Sequence, residues 1–183
     1  MRLKRSFYQK PAEEVAKNLL GKYIVRKIQG KEVAGKIIET EAYIGGKDRA
    51  SHAYCGKKTE RNKAEYLTGG HIYIYLVYGM YWQLNITTGK KDEPECVLVR
   101  AIETDDDIRL TNGPGKLCNY LKLNKSFYTE DLTKSKRIWL EKRENKKPNI
   151  LATGRVGIEY AGTYWSRRKL RFLIKDYKRM LSK

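Results

Sequence analysis

Residues 71–86 read HIYIYLVYGMYWQLNI, and their alternation spells a β-hairpin. Tyr73, Tyr75 and Val77 fall on one face of a strand over 72–77, with Ile72, Ile74 and Leu76 on the other. Gly79 breaks the run, and Trp82, Leu84 and Ile86 begin a second alternation. Tyr78 and Met80 therefore sit at or beside the turn, where a large side chain gains little from a core. In a strongly basic chain, a projecting ring suits a wedge inserted between DNA bases. An ordinary surface tyrosine is the alternative.

Outward from the hairpin, the pattern predicts one mixed α+β domain over residues 1–183, built around antiparallel strands. PAEEVAKNLL (11–20) reads as a first helix. Pro11 suits its first turn, Glu13 and Glu14 complement its positive end, and Gly21 suits its stop. Val15, Ala16, Leu19 and Leu20 form its apolar stripe. Strands are expected at 22–28 and 32–44 around Gln29-Gly30, at 96–102, and at 170–174. Residues 45–62 read as loop, 64–67 as a short helix, and 116–123 as a helix introduced by Asn112-Gly113-Pro114-Gly115. No repeat or linker divides the chain.

Lys and Arg number 39 against 21 Asp and Glu, a net charge of +18. A balance this one-sided implies a polyanionic partner. An acidic membrane surface fits less well, because no lysine-rich amphipathic helix with a wide apolar face stands out. Fourteen tyrosines add rings of the kind that stack on bases. Three cysteines without CxxC spacing suit reduced thiols in a cytosolic-type compartment. With two histidines, a structural zinc site is not expected. The basic start MRLKRSFYQK has no apolar core of the secretory kind, and no stretch approaches the roughly 20 apolar residues of a spanning helix.

The strand around ETEAY puts Glu39, Glu41 and Tyr43 on one face. Carboxylates two residues apart on a strand lie roughly 6.5–7 Å apart. One that shares its face with rings is a candidate general base, its pKa raised by burial. Spacing alone does not separate this from a solvated face with paired charges. His52 is able to hydrogen-bond a flipped base. Arg100 ends an apolar strand and needs a carboxylate or phosphate. Asn85 sits on a strand that disfavours asparagine, which points to a polar role. Asp105-Asp106-Asp107 reads as a solvated loop. Gly113-Pro114-Gly115-Lys116 offers a phosphate seat at a helix start, or simply a tight turn.

Taken together, these motifs resemble the alkyladenine (3-methyladenine) DNA glycosylases. The matching strings are LLGKYIVRK (19–27), ETEAYIG (39–45), SHAYCGKKTERN (51–62), YIYLVYGMYWQLNI (73–86), CVLVRAIE (96–103) and NGPGKLCNYLKLNKSF (112–127), with GRVGI…AG…RKLRF across 154–172. They run in the family's order and cover nearly the whole chain. The resemblance implies a curved antiparallel β-sheet with flanking helices and a protruding β-hairpin, without metal or cofactor. It implies that Glu41 activates water, helped by Arg100 and the carbonyl of Val156. Tyr43 and Tyr75 would sandwich a flipped base that His52 hydrogen-bonds, with Asn85 beneath it. Tyr78 would be the wedge, and Met80, Tyr81 and Lys116 would touch the DNA backbone.

The expected function is monofunctional base excision. An alkylated or deaminated purine (3-methyladenine, 7-methylguanine, hypoxanthine class) leaves double-stranded DNA and an abasic site remains. A monomer, cytoplasmic or nuclear and not membrane-bound, is the expected state. A non-catalytic nucleic-acid-binding module would explain charge and rings equally well, and a metal-dependent nuclease less well.

Overall fold

The computed structural model describes residues 1–175 and Tyr177. Helices α1 (Arg5–Tyr8) and α2 (Ala12–Leu19) precede strands β1 (Tyr23–Ile28) and β2 (Lys31–Tyr43). The hairpin strands β3 (Ile72–Val77) and β4 (Tyr81–Thr88) lead to β5 (Glu95–Glu103) and helix α3 (Pro114–Tyr120). Strands β6 (Ile138–Glu141) and β7 (Ile150–Thr153), helix α4 (Thr163–Arg167) and strand β8 (Arg171–Ile174) follow. The fold is mixed α+β. Its curled antiparallel sheet runs β3-β4-β5-β2-β1-β6, with β8 paired to β2 and β7 to β8.

The long strand β2 organises the sheet. Its first half, Lys31–Lys36, pairs with β1 across a two-residue turn whose Gln29 and Gly30 both have positive φ (49° and 83°), as a hairpin of matching twist requires. Beyond a register irregularity around Glu39, its second half exchanges β1 for β8, with Glu39 opposite Leu173 and Glu41 opposite Arg171. Strand β5 runs along the other edge from Lys36 to Tyr43. Such an irregularity bends a strand and re-aims its side chains. Helix α2 buries Ala12, Val15, Ala16 and Leu19, the i, i+3, i+4, i+7 stripe of an amphipathic helix. The Thr40 hydroxyl donates to the Ala16 carbonyl at 2.9 Å and ties helix to sheet.

The hairpin divides as its alternation predicts. Ile72, Ile74, Leu84 and Ile86 belong to the main core. On the opposite face Tyr73 is buried with Ala64 and Cys96, and Tyr43, Tyr75 and Tyr128 pack around them. One face of the sheet therefore builds the core and the other builds a ring-lined recess. At the tip, Tyr78 has φ of 52° and is 88% exposed, a strained and solvated placement for a tyrosine.

Four expectations change. Helix α3 begins at Pro114, not Lys116, because proline suits the first helical position and extended Gly113 precedes it; it ends at Tyr120, not Leu123. Strand β5 continues to Glu103, so Arg100 lies inside it. The 45–62 segment contains tight turns at Gly45–Lys47 and Tyr54–Gly56. Elements α1, β6, β7 and α4, each four or five residues long, are additional to the expected set. The remaining strands and α2 agree to within two residues. No helix among the described residues is long and apolar enough to cross a membrane.

Leu84→Ala, which empties a fully packed site, is expected to cost about 2–5 kcal/mol. Tyr78→Ala is expected to stay within about 0.5 kcal/mol. Urea unfolding checks both; a large loss for Tyr78→Ala would show that its ring serves the fold.

Candidate active site

Glu41 has no exposed surface, yet it is a carboxylate. Three donors from three parts of the chain hold it. The Val156 backbone N–H donates to Oε1 at 2.9 Å, and the Tyr43 hydroxyl donates to Oε2 at 2.9 Å. Arg100 Nη1 lies 3.4 Å from Oε1. Arg100 also donates through Nε to Glu39 at 2.7 Å, and Arg171 donates to the same Glu39 oxygen at 2.6 Å. The two glutamates are therefore distinct. Glu39 is neutralised by two arginines, whereas Glu41 shares one and is otherwise fixed by neutral donors. Burial raises the Glu41 pKa against the opposing pull of Arg100, Val156 and Tyr43. The solvated-face reading of ETEAY is thereby replaced by a dry one.

Val156 meets Glu41 through its N–H; its carbonyl, which the resemblance assigns to the water, is a separate group. What brings Val156 there is Arg155, which the sequence did not single out. Arg155 and Asp48 form a fully buried ion pair (2.5 and 2.9 Å). Arg155 also donates to the Ala42 carbonyl at 3.0 Å and lies 4.6 Å from the centre of the Tyr43 ring. Asp48 in turn accepts from the Ile44 and Ala50 N–H groups. This pair clamps the 154–156 segment and the 44–50 loop against the end of β2, and so sets both Tyr43 and Val156 beside Glu41. A contact 107 residues apart leaves no local pattern to read.

Tyr43, which bonds Glu41, also lines a small cavity of about 20 Å³ with His52, Tyr73, Tyr75, Asn85 and Cys96, together with Ala50 and Glu65. The cavity has room for a water and none for a purine. Tyr75 packs against Tyr73 (centroids 5.1 Å apart) and His52 (4.8 Å), and Arg61 covers one of its faces at 5.1 Å. His52 Nδ1 is 2.6 Å from the Tyr73 hydroxyl. Burial, then Arg61 and Lys57, lower the His52 pKa below the ordinary imidazole value and favour the neutral ring. Asn85 is buried on β4, its Nδ2 donating to the Gln83 carbonyl at 3.3 Å. A wider cavity of about 480 Å³ shares Ala50, His52 and Tyr73 and carries Arg49, Lys57 and Arg61 on its wall.

The exposed residues of the hairpin gather apart from this recess. Tyr78, Met80 and Tyr81 are all exposed at the tip. Tyr81 rests on α3 at Gly115, where a β-carbon would come within 2.9 Å of its ring. Lys116, next in α3, is exposed and donates to Asn112 at 2.9 Å. Asp105–Asp107 are exposed as expected. No three His, Cys, Asp or Glu side chains converge among the described residues.

A family model of methylpurine-DNA glycosylase matches residues 6–178. The chain belongs to this family. It is 44% identical over 182 residues to a protein of Clostridium tetani designated a 3-methyladenine DNA glycosylase, spanning 88% of this chain and 90% of that one. A protein of the same designation in Borrelia garinii is 40% identical over 179 residues, covering 95% and 96%. The human DNA-3-methyladenine glycosylase is 36% identical over 199 residues, covering 95% of this chain and 66% of the human one. The family is one of DNA glycosylases, and DNA is the substrate it implies.

Because burial raises the Glu41 pKa, the folded state holds this proton more tightly than the unfolded chain. Stability is therefore lost as pH rises from the ordinary carboxylate range through the folded pKa. Glu41→Gln is expected to be more stable than the unaltered protein at about pH 7, with the gap closing toward about pH 4. Urea unfolding across pH checks this; lower stability at neutral pH would mean that the three donors outweigh desolvation.

Proposed function

We propose that this DNA glycosylase excises alkylated and deaminated purines from duplex DNA by a water that Glu41 activates. The observation that carries this reading is a buried carboxylate, of raised pKa, fixed by Arg100, Val156 and Tyr43 beside a ring-lined recess. A base of this kind works best when its pKa approaches the working pH and its orientation is preset.

The reaction divides among the chain's own residues. Tyr78, strained and exposed at the hairpin tip, enters the duplex and takes the place of the extruded nucleotide. A damaged purine pairs poorly, which lowers the cost of extrusion, otherwise a few kcal/mol. Tyr43 and Tyr75 then stack on the base, each ring contributing on the order of 1–3 kcal/mol. Neutral His52 hydrogen-bonds the base, and Asn85 lies beneath it, where it disfavours the exocyclic amine of normal guanine. Water attacks C1′ of the sugar and its proton passes to Glu41. The C1′–N bond breaks with its electron pair going to the purine. A cationic alkylated base leaves as a neutral one, so the bond is already weak; a neutral lesion has to acquire a proton. Met80, Tyr81 and Lys116 are suited to the DNA backbone beside the wedge, and the +18 charge supplies the general attraction.

The test is release of free base from methylated duplex DNA under single-turnover conditions, with undamaged duplex as control. Release of methylated purine is expected from the unaltered protein. Glu41→Gln should lower it by at least about 10²-fold, the lower range for a lost general base, while duplex binding persists. Tyr78→Ala should slow release more than it weakens nonspecific binding. Binding without release from the unaltered protein would leave a binding module in place of an enzyme.

A further inference from the structure

Glu65 is the buried acid that the mechanism above does not use. It sits in the tight turn Lys63–Tyr66, 1% exposed, and lines the small cavity with Tyr73, Tyr75, Asn85 and Cys96. The other acids buried around the site each have a cation: Asp48 has Arg155, Glu39 has Arg100 and Arg171, and Glu41 has Arg100. Glu65 has none among the described residues. Its Oε1 accepts from the Cys96 thiol at 3.3 Å, and the same sulfur lies 3.8 Å from Asn85 Oδ1. Its Oε2 is buried and meets no hydrogen-bond partner of good geometry among the described residues; Asn62 is near enough to draw the carboxyl's pKa down, but its amide N–H groups donate to the His52 and Lys57 carbonyls.

A buried carboxyl oxygen without a partner is costly, and native proteins retain few of them. Packing does not explain this one: an apolar side chain of the same length would fill the turn without the penalty. The Cys96 thiol holds one oxygen and leaves the other without a partner, in a side chain that lines the small cavity.

We propose that Glu65 is a specificity residue of this pocket, reading the edge of the flipped base through Oε2 and favouring neutral purine lesions over cationic ones. The proposal rests on the glycosylase reading given above. Protonated, Oε2–H is a donor, and its complement is a ring nitrogen or carbonyl that carries a lone pair. A neutral deaminated purine offers both. A purine alkylated at a ring nitrogen has lost the lone pair at that atom and gained a positive charge, and gains nothing from a neutral donor there.

The protonated form is available at neutral pH, because burial, against the opposing pull of Cys96 and Asn62, pushes the Glu65 carboxyl up to about 7. His52 lines the same cavity, with its pKa lowered by burial, Arg61 and Lys57; the other titratable groups around Glu65 are Cys96 on β5, Tyr73 and Tyr75 on β3, Tyr43 on β2, Tyr128 and its own neighbour Tyr66. These thiol and phenol groups are all raised above their ordinary values and stay neutral, so none of them fixes the carboxyl in its charged form. As pH rises the donor is lost, and the carboxylate favours the cationic base instead.

The experiment compares single-turnover release of hypoxanthine and of 7-methylguanine from matched duplexes. Glu65→Met is expected to lower the hypoxanthine-to-7-methylguanine ratio by about tenfold, the worth of one good hydrogen bond. Glu65→Gln, which keeps an N–H donor at the same length, should hold the ratio within about threefold. In the unaltered protein the ratio should fall between about pH 6 and about pH 8, around the carboxyl's pKa of about 7, and fall less steeply in Glu65→Gln, where only the proton that a neutral lesion has to acquire still sets a slope. Glu41 activates the water for both bases, so the ratio cancels its part. Retained 7-methylguanine release certifies the fold of each variant. An unchanged ratio in Glu65→Met, or an equal pH trend in Glu65→Gln, overturns the proposal. Release of neither base by the unaltered protein overturns the glycosylase reading beneath it.

Discussion

The structure depends on keeping one carboxylate dry. Glu41 lies between β5 and β8 with no exposed surface, and an isolated charge there would simply take up a proton. It is kept usable by donors drawn from three places: Arg100 from β5, the Val156 amide from the segment after β7, and Tyr43 from its own strand. Each has to be delivered by the fold. The irregularity in β2 lets β8 replace β1 beside Glu39–Glu41, and the Asp48–Arg155 pair draws Val156 inward. Removing one partner of such a pair typically costs about 3–5 kcal/mol, because the other charge is left buried and alone.

The hairpin solves a second problem with the same economy. Ile72, Ile74, Leu84 and Ile86 go to the core, which frees the hairpin's tyrosines for the opposite face and the tip. Tyr78 holds positive φ at the tip without a packing reward. Strain of that kind persists where surrounding structure enforces it, and it gathers at functional sites. Gly115 lets Tyr81 lie flat on α3, which braces the tip from behind.

How far the sequence could be read follows from the range of each interaction. Strict alternation over 72–77 and 82–86 made the hairpin legible, and with it the separation of Tyr73 and Tyr75 from the core. The Gln29-Gly30 turn and the α2 stripe are local signals too. The four-residue strands β6 and β7 exist through pairing with distant β1 and β8, so their own residues carry little pattern. Glu41 was visible only as one of two strand glutamates; what separates it from Glu39 is which arginines reach each, a tertiary fact. Asp48, Arg155 and Glu65 escaped notice for the same reason. Glu65 in particular reads as an ordinary acid in a polar turn, and only its neighbours Cys96 and Asn85, brought by other strands, reveal it as part of the pocket.

The most direct measurement is the pH dependence of single-turnover release of a cationic methylated purine, a substrate that needs no acid. If Glu41 must be ionised to activate water and is held above the ordinary carboxylate range by burial, the rate falls with decreasing pH through one ionisation lying clearly above about 4.5. A rate that is level across that range, or an ionisation at the ordinary carboxylate value, would contradict the assignment of Glu41 as the base.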